Sequence, residues 1–267
     1  MQNNSPGGNG GFRRNIRLII AYDGTDFSGW QRQTNARSVQ AAVEDALCAL
    51  HKAQTTLYAA GRTDAGVHAA GQCANFYSPI AGMKPENYKP ALNGLLPPDV
   101  RVMSAEEAPE NFHARFDAVL RRYRYRFISG RQALPHETRY ALQLFRHPDI
   151  SLLNEYARLL HGETDCSLFA SPADSVLKRG GSPRRFIHQA WFFTQGDSLV
   201  FEISANAFLW KMVRSIAGTL LFCESRLLPP AGFRRLLLSC DHRNAGPTAP
   251  PAGLFLWNVE YSRQPLK

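Results

Sequence analysis

No apolar run in this sequence reaches the ~20 residues that a membrane-spanning helix needs. The stretch Met1 to Gly11 also lacks the apolar core of a signal peptide, so a cytoplasmic location is the default expectation. Close cysteine pairs are absent too. Cys48, Cys73, Cys166, Cys223 and Cys240 lie far apart and are odd in number, which suggests neither a disulfide framework nor a zinc site. They read as buried thiols acting as small hydrophobes. The eight histidines show no helical metal-ligand spacing. Acidic residues are the scarcer charge, 22 Asp and Glu against 31 Lys and Arg, which leaves a net charge of +9. Such a balance favours a polyanionic partner through phosphate contacts and counterion release. Many basic proteins bind nothing acidic, so charge alone only tilts the expectation towards nucleic acid.

What is present fills a real core: 44% of the 267 residues are hydrophobic. Residues 1 to 14, rich in Gly and Asn and closing with Arg13 and Arg14, read as a flexible tail. A first strand is expected from Ile16 to Tyr22, with Ile16, Leu18, Ile20 and Tyr22 on one face, ended by the turn residues Asp23 and Gly24. Ser38 is placed to cap a helix whose apolar face is Val39, Ala42, Val43, Ala46, Leu47 and Leu50. Strands are expected near 70–77 and 116–128, with a helix near 85–92 between them.

The second half repeats these ingredients. Helices are expected near 151–161, 207–222 and 231–238, and strands near 186–195, 198–205 and 254–261. Leu199, Phe201, Ile203 and Ala205 alternate against Val200, Glu202 and Ser204, as in a strand with one buried face. The expected fold class is α+β: two similar RRM/ferredoxin-like halves, 15–128 and 129–267, forming a mainly antiparallel sheet with helices on one face and an RNA-binding cleft on the other.

The segment Gly61-Arg62-Thr63-Asp64-Ala65-Gly66-Val67-His68 lets the backbone turn tightly while Arg62 and Asp64 stay accessible. By itself a Thr-Asp-Ala-Gly string is more often a turn in which Thr63 or Asp64 bonds nearby amides. In Arg121-Arg122-Tyr123-Arg124-Tyr125-Arg126-Phe127, strand alternation puts the three aromatics on one face and Arg122, Arg124 and Arg126 on the other. The ordinary reading is a core-facing aromatic row with a solvated basic face.

These segments resemble a family. Gly61 to His68, with Ala69-Ala70-Gly71-Gln72, closely resembles the signature block of the tRNA pseudouridine synthase A family. Further matches follow in family order: Tyr22-Asp23-Gly24, Gly29 to Gln33, Ser38-Val39-Gln40, Phe112 to Phe116, Arg122 to Tyr125, Asn206 to Leu209, Met212-Val213-Arg214 and Ala252-Gly253-Leu254. The likeness covers about residues 15 to 262, and departs from the family pattern at Trp210, Lys211, Ala217 and the loop Ser171 to Pro183.

The resemblance implies an isomerase that converts uridine to pseudouridine in the anticodon stem and loop of tRNA, at tRNA positions 38, 39 and 40, without metal or organic cofactor. It implies Asp64 as the catalytic carboxylate, Arg62 filling the space of the flipped base, and Tyr123 stacking on the uracil, its hydroxyl helping to remove the C5 proton. It further implies Arg214 holding Asp64 ionised and oriented, and a homodimer that carries one tRNA across two subunits. His68 and His113 read as structural hydrogen-bonding groups. Lys178, Arg179, Arg184 and Arg185 are candidate tRNA backbone contacts in an otherwise solvated loop. Two other classes compete: a non-catalytic module of two RNA-binding halves, and a metal-dependent hydrolase using Asp64 as base or ligand.

Overall fold

A computed structural model of the chain describes residues 14–171 and 173–262. The expected tail lies outside the described residues except for Arg14, which opens β1 (Arg14–Tyr22). The order then runs α1 (Val39–His51), β2 (Tyr58–Ala59), β3 (His68–Ser78), α2 (Tyr88–Asn93), β4 (Val100–Glu107), β5 (Ala118–Ile128) and β6 (Leu142–Gln143). It continues with α3 (Ile150–Arg158), β7 (Gly162–Asp165), β8 (Arg184–Gln195), β9 (Ser198–Ala205), α4 (Met212–Ser225), α5 (Pro230–Ser239) and β10 (Leu254–Tyr261). Eight strands form one sheet in the order β4-β1-β3-β10-β5-β9-β8-β7, with β2 added to β3 and β6 to β5. Pairing is antiparallel except at β5 with β6 and at β10 with β3, where Phe255 opposes His68 and Leu256 opposes Ala69. That short parallel seam joins β4, β1 and β3 to the rest of the sheet.

Local chemistry sets these elements. Ile16, Leu18, Ile20 and Tyr22 are all buried on one face of β1, as their spacing predicts. Ser38 caps α1 by accepting from the Ala41 amide, and the helix stops where Lys52 turns left-handed at φ 56°. The strand β4 was not expected from the sequence. Only Val100 and Val102 of it are buried, and it lies at the sheet edge with Glu106 and Glu107 facing Arg17 and Arg14, the charged pattern that discourages further pairing. The expected helix over 207–222 begins late, at Met212. Lys211 is left-handed at φ 62°, and Asp174 Oδ2 accepts the Trp210 amide at 2.6 Å, so 206–211 is a loop laid across the sheet.

Register carries one face across the whole sheet. Tyr22 opposes Ala69, Ala69 opposes Leu256, Leu256 opposes Tyr123, Tyr123 opposes Ile203 and Ile203 opposes Ala190. Directly paired residues point to the same side. All of these residues belong to the main core, together with Val39 and Val43 of α1, Leu153 and Tyr156 of α3 and Ile216 of α4. Helices thus cover this face.

The other face corrects two expectations. β9 is buried on both sides, with Val200, Glu202 and Ser204 no more than 4% exposed. Arg122 and Arg124 are not a solvated basic row: Arg122 Nη1 and Arg124 Nε each reach a Glu202 carboxylate oxygen at 2.7 Å. Burial works to raise the Glu202 pKa, but the bonds from Arg124 and Arg122 outweigh it and hold the carboxyl below its usual range. Arg124 also lies 4.1 Å from the ring of Trp257. Of the cysteines, Cys73, Cys166 and Cys223 are buried as expected, whereas Cys48 is half-buried and Cys240 exposed.

Candidate active site

Asp64 sits in the loop between β2 and β3, and that loop is held from several sides. The Trp30 amide donates to Thr63 O at 3.1 Å, and the Gly66 amide to Phe27 O at 3.2 Å. Tyr22 and Thr63 share a hydroxyl hydrogen bond of 2.8 Å, and Gln72 Nε2 donates to Gly61 O at 2.8 Å. Gly29 has φ +96°, and a Cβ there would lie 2.7 Å from Thr63 O, so the chain beside Trp30 can approach this loop only as glycine. The loop does turn, but through its backbone, with the Val67 amide donating to Asp64 O at 3.1 Å, while Thr63 Oγ1 and Asp64 Oδ2 bond Tyr22 and Arg214 instead of nearby amides. It uses the Asp64 backbone and leaves the carboxylate free for other work.

Arg214 supplies the carboxylate's partner. Its Nη1 donates to Asp64 Oδ2 at 2.9 Å, and its Nε donates to Ala249 O at 2.7 Å. The two side chains are 13% and 18% exposed, so water screens the pair weakly. Arg214 lies in the first turn of α4, where the helix dipole disfavours a cation and favours an anion; Asp64 at that end reverses the local balance. The Ala249 carbonyl reaches its place because Gly218 lets 247–249 lie against α4: a Cβ on Gly218 would fall 1.9 Å from Pro247 O. Asp64 Oδ1 has no hydrogen-bond partner among the described residues.

Tyr123, on β5, is 9% exposed and stands edge-on to Phe208, with ring centroids 5.1 Å apart. Its hydroxyl donates to nothing among the described residues. Burial first, then the Asp64 charge, push its pKa far above the usual phenol range. At neutral pH this hydroxyl is a proton donor, which sets it against acting alone as the base for a C5 proton. Arg62 is exposed and makes no ion pair or hydrogen bond among the described residues.

Asp64, Tyr123 and Arg214 lie on the helix-bearing side of the sheet, where the loop before β3 meets α4. Tyr123 shares its face with the helix-covered core, and Arg214 is itself on a helix.

His68 is wholly buried. Its Nδ1 accepts from the Gly24 amide at 3.0 Å and its Nε2 donates to Arg139 O at 2.8 Å. Burial lowers its pKa, against the opposing pull of the Arg139 carbonyl and Asp23, so the ring is neutral, with the proton on Nε2. In the basic loop, Lys178, Arg179 and Arg184 are exposed and Arg185 half-buried, but the segment is not shapeless. Asp174, 3% exposed, accepts the Val176 amide through Oδ1 and ties the loop to Trp210 through Oδ2. No group of three or more His, Cys, Asp or Glu among the described residues is arranged to hold a metal ion.

Sequence reasoning passed over Arg121. Its Nη1 donates to Ala118 O and Asn206 O at 2.8 and 2.7 Å, and its Nη2 to Ala60 O and Arg115 O at 3.1 and 2.7 Å. Lying two residues before Tyr123 on the same face was the available signal.

The chain matches the family model described as tRNA pseudouridine synthase over residues 18–117 and 156–262. A tRNA pseudouridine synthase A from Treponema denticola is 47% identical over 260 residues, covering 96% of each chain. One from Treponema pallidum (strain Nichols) is 44% identical over 239 residues, 88% of this chain and 84% of its own. One from Geobacillus kaustophilus is 41% identical over 255 residues, 94% and 96% respectively.

Proposed function

The chain belongs to the tRNA pseudouridine synthase family, and from that premise we propose that Asp64 drives the isomerisation of uridine to pseudouridine in the anticodon stem and loop of tRNA. The reaction is an intramolecular transfer. The bond between uracil N1 and ribose C1′ breaks, uracil turns, C5 bonds to C1′, the C5 proton leaves and N1 gains a proton. Attack on C6, attack on C1′ and removal of a ribose proton are three ways to begin, and each can start from Asp64 Oδ1.

The observation that carries this reading is the single hydrogen bond from Arg214 to Asp64 Oδ2 at 2.9 Å, which fixes the carboxylate and leaves its second oxygen open. Tyr123 offers a ring for the uracil to stack on. Arg62, without a partner among the described residues, fills the space that the base vacates and offsets part of the cost of unstacking it. The exposed cations of the 171–185 loop meet the tRNA backbone. By resemblance, two copies act as a homodimer holding one tRNA, in the cytoplasm, and light scattering should return twice the 29.8 kDa of one chain.

The test is tritium release from tRNA labelled at uridine C5, with a chelator present. Pseudouridine formation must release that label. No release from any tRNA removes the reading, and release that requires added metal favours a metal-dependent alternative.

A further inference from the structure

Beside the catalytic loop stands a short stair of aromatic rings that the chemistry above does not use. Tyr58, the first residue of β2, lies 5.2 Å from the His113 ring, and His113 lies 4.3 Å from Phe116 at 37°. Phe116 is 75% exposed and Tyr58 38%, so the outer ring presents an open surface. A lone exposed phenylalanine is ordinary on a protein surface. This one is built in.

The turn that carries it is fixed at both ends. The His113 amide donates to Asp117 Oδ2 at 2.8 Å, the Asp117 amide to His113 O at 3.1 Å, and the Arg115 amide to His113 Nδ1 at 3.1 Å. Phe112 anchors it in a small core against Tyr261, and Tyr261 donates to Ala114 O at 2.8 Å. One nitrogen of Arg121 then bonds both Arg115 O and Ala60 O. The stair is thereby locked to the residue immediately before Gly61-Arg62, while the other Arg121 nitrogen holds Asn206, two residues before the Phe208 that touches Tyr123. Arg115 and Arg62 are exposed on this rim, and neither has a carboxylate partner among the described residues.

We propose that Phe116, backed by His113 and Tyr58, is a stacking surface for a tRNA nucleobase next to the uridine being converted, with Arg115 meeting the adjoining phosphate. This rests on the synthase reading. Arg62 fills the gap left by the extruded uridine, and an aromatic ring at a fixed offset from the catalytic loop can cover the exposed face of a further base that the distorted stack releases. Base stacking on an aromatic ring tolerates any base, so such a contact serves an enzyme that acts on differing sequences.

The experiment uses the full chain and an anticodon stem-loop RNA carrying 2-aminopurine beside the target uridine. Phe116→Ala should raise KM by about 5- to 150-fold, the range for losing one stacked base. kcat at saturating RNA and the melting temperature should stay unchanged, and the fluorescence quenching seen on binding should be lost. Phe116→Trp should restore both KM and quenching. Phe145→Ala, at a residue 96% exposed near the far end of α4, should match the unaltered protein. Unchanged KM and quenching in Phe116→Ala, or a loss that Trp does not repair, overturns the inference. Failure of the unaltered protein to make pseudouridine in this RNA overturns the synthase reading instead, so the two failures are distinguishable.

Discussion

Arg214 and Asp64 are 150 residues apart in the chain, yet Arg214 Nη1 lies 2.9 Å from Asp64 Oδ2. The contact ties α4 to the loop before β3 and leaves Asp64 Oδ1 without a hydrogen-bond partner among the described residues.

Asp64→Asn keeps an oxygen able to accept from Arg214 and removes the nucleophilic carboxylate. It should melt like the unaltered protein and bind tRNA, but lose about 10⁴-fold or more in turnover, the scale seen when a nucleophile is removed. Tritium release and a filter-binding isotherm check both halves. Substantial residual turnover would remove Asp64 from the mechanism.

Arg214→Lys retains a positive charge but cannot hold Ala249 O and Asp64 Oδ2 together from one planar group. A hydrogen bond to a charged group contributes about 1.5 to 3 kcal/mol, so kcat should fall about 10- to 150-fold with little change in KM. Steady-state kinetics at saturating tRNA separates this from a binding defect, which would raise KM instead.

Much of this was legible in the sequence, and what was not has physical causes. Alternation in 16–22 and apolar spacing in 39–50 reported β1 and α1 because each buries one face. β9 misled because alternation cannot tell a solvated polar face from one covered by paired charges; Glu202 is buried through Arg122 and Arg124, which belong to another strand. The start of α4 misled because Leu209 keeps helical spacing with Met212, Val213 and Ile216 although it lies in a loop, and nothing local marks the left-handed Lys211. Arg62, Asp64, Tyr123 and Arg214 came from family resemblance. Residue chemistry alone favoured a turn for Asp64, and the turn does exist, built by its backbone. That Tyr123 shares a side of the sheet with Ala69 and Tyr22 could not be read, because it follows from register across the β3 and β10 seam.

Gly218→Ala tests how Arg214 is held. The added methyl would sit 1.9 Å from Pro247 O, so 247–249 must move and take Ala249 O away from Arg214. Overpacking of this kind costs about 1 to 3 kcal/mol. The melting temperature should drop, and turnover measured well below it should also fall, although residue 218 is a full turn along α4 from Arg214. A loss of stability with full turnover would show that Ala249 does not position Arg214.

The neutral, buried His68 predicts a pH dependence of stability. Its folded pKa is depressed below the ordinary 6.5, mainly by burial, and those of His51 and His113 are depressed in the same direction. The unfolded chain therefore binds more protons than the folded one as pH falls below 6.5. Stability is complete above that value and is lost progressively beneath it, down through the folded pKa. Denaturant unfolding at pH 7.5 and at pH values below 6.5 should show a lower midpoint on the acid side. His68→Gln, which titrates nowhere in this range, should be less stable overall and show a shallower acid slope; an unchanged slope would assign the effect to the other histidines.

Arg62 is the site residue whose removal should cost the fold least, since it is exposed and partnerless among the described residues. Arg62→Ala should change stability by no more than about 0.5 kcal/mol, as expected of a surface substitution without partners. If the arginine offsets the cost of flipping, its worth depends on how firmly the target uridine is stacked and paired. Flipping costs a few kcal/mol for a paired base and least for one already mismatched. The variant's loss in kcat/KM should therefore be large on a stem uridine paired with adenine and shrink when that adenine is replaced to leave the uridine unpaired. An ordinary phosphate contact would give equal losses on both RNAs and a shallower dependence of binding on salt.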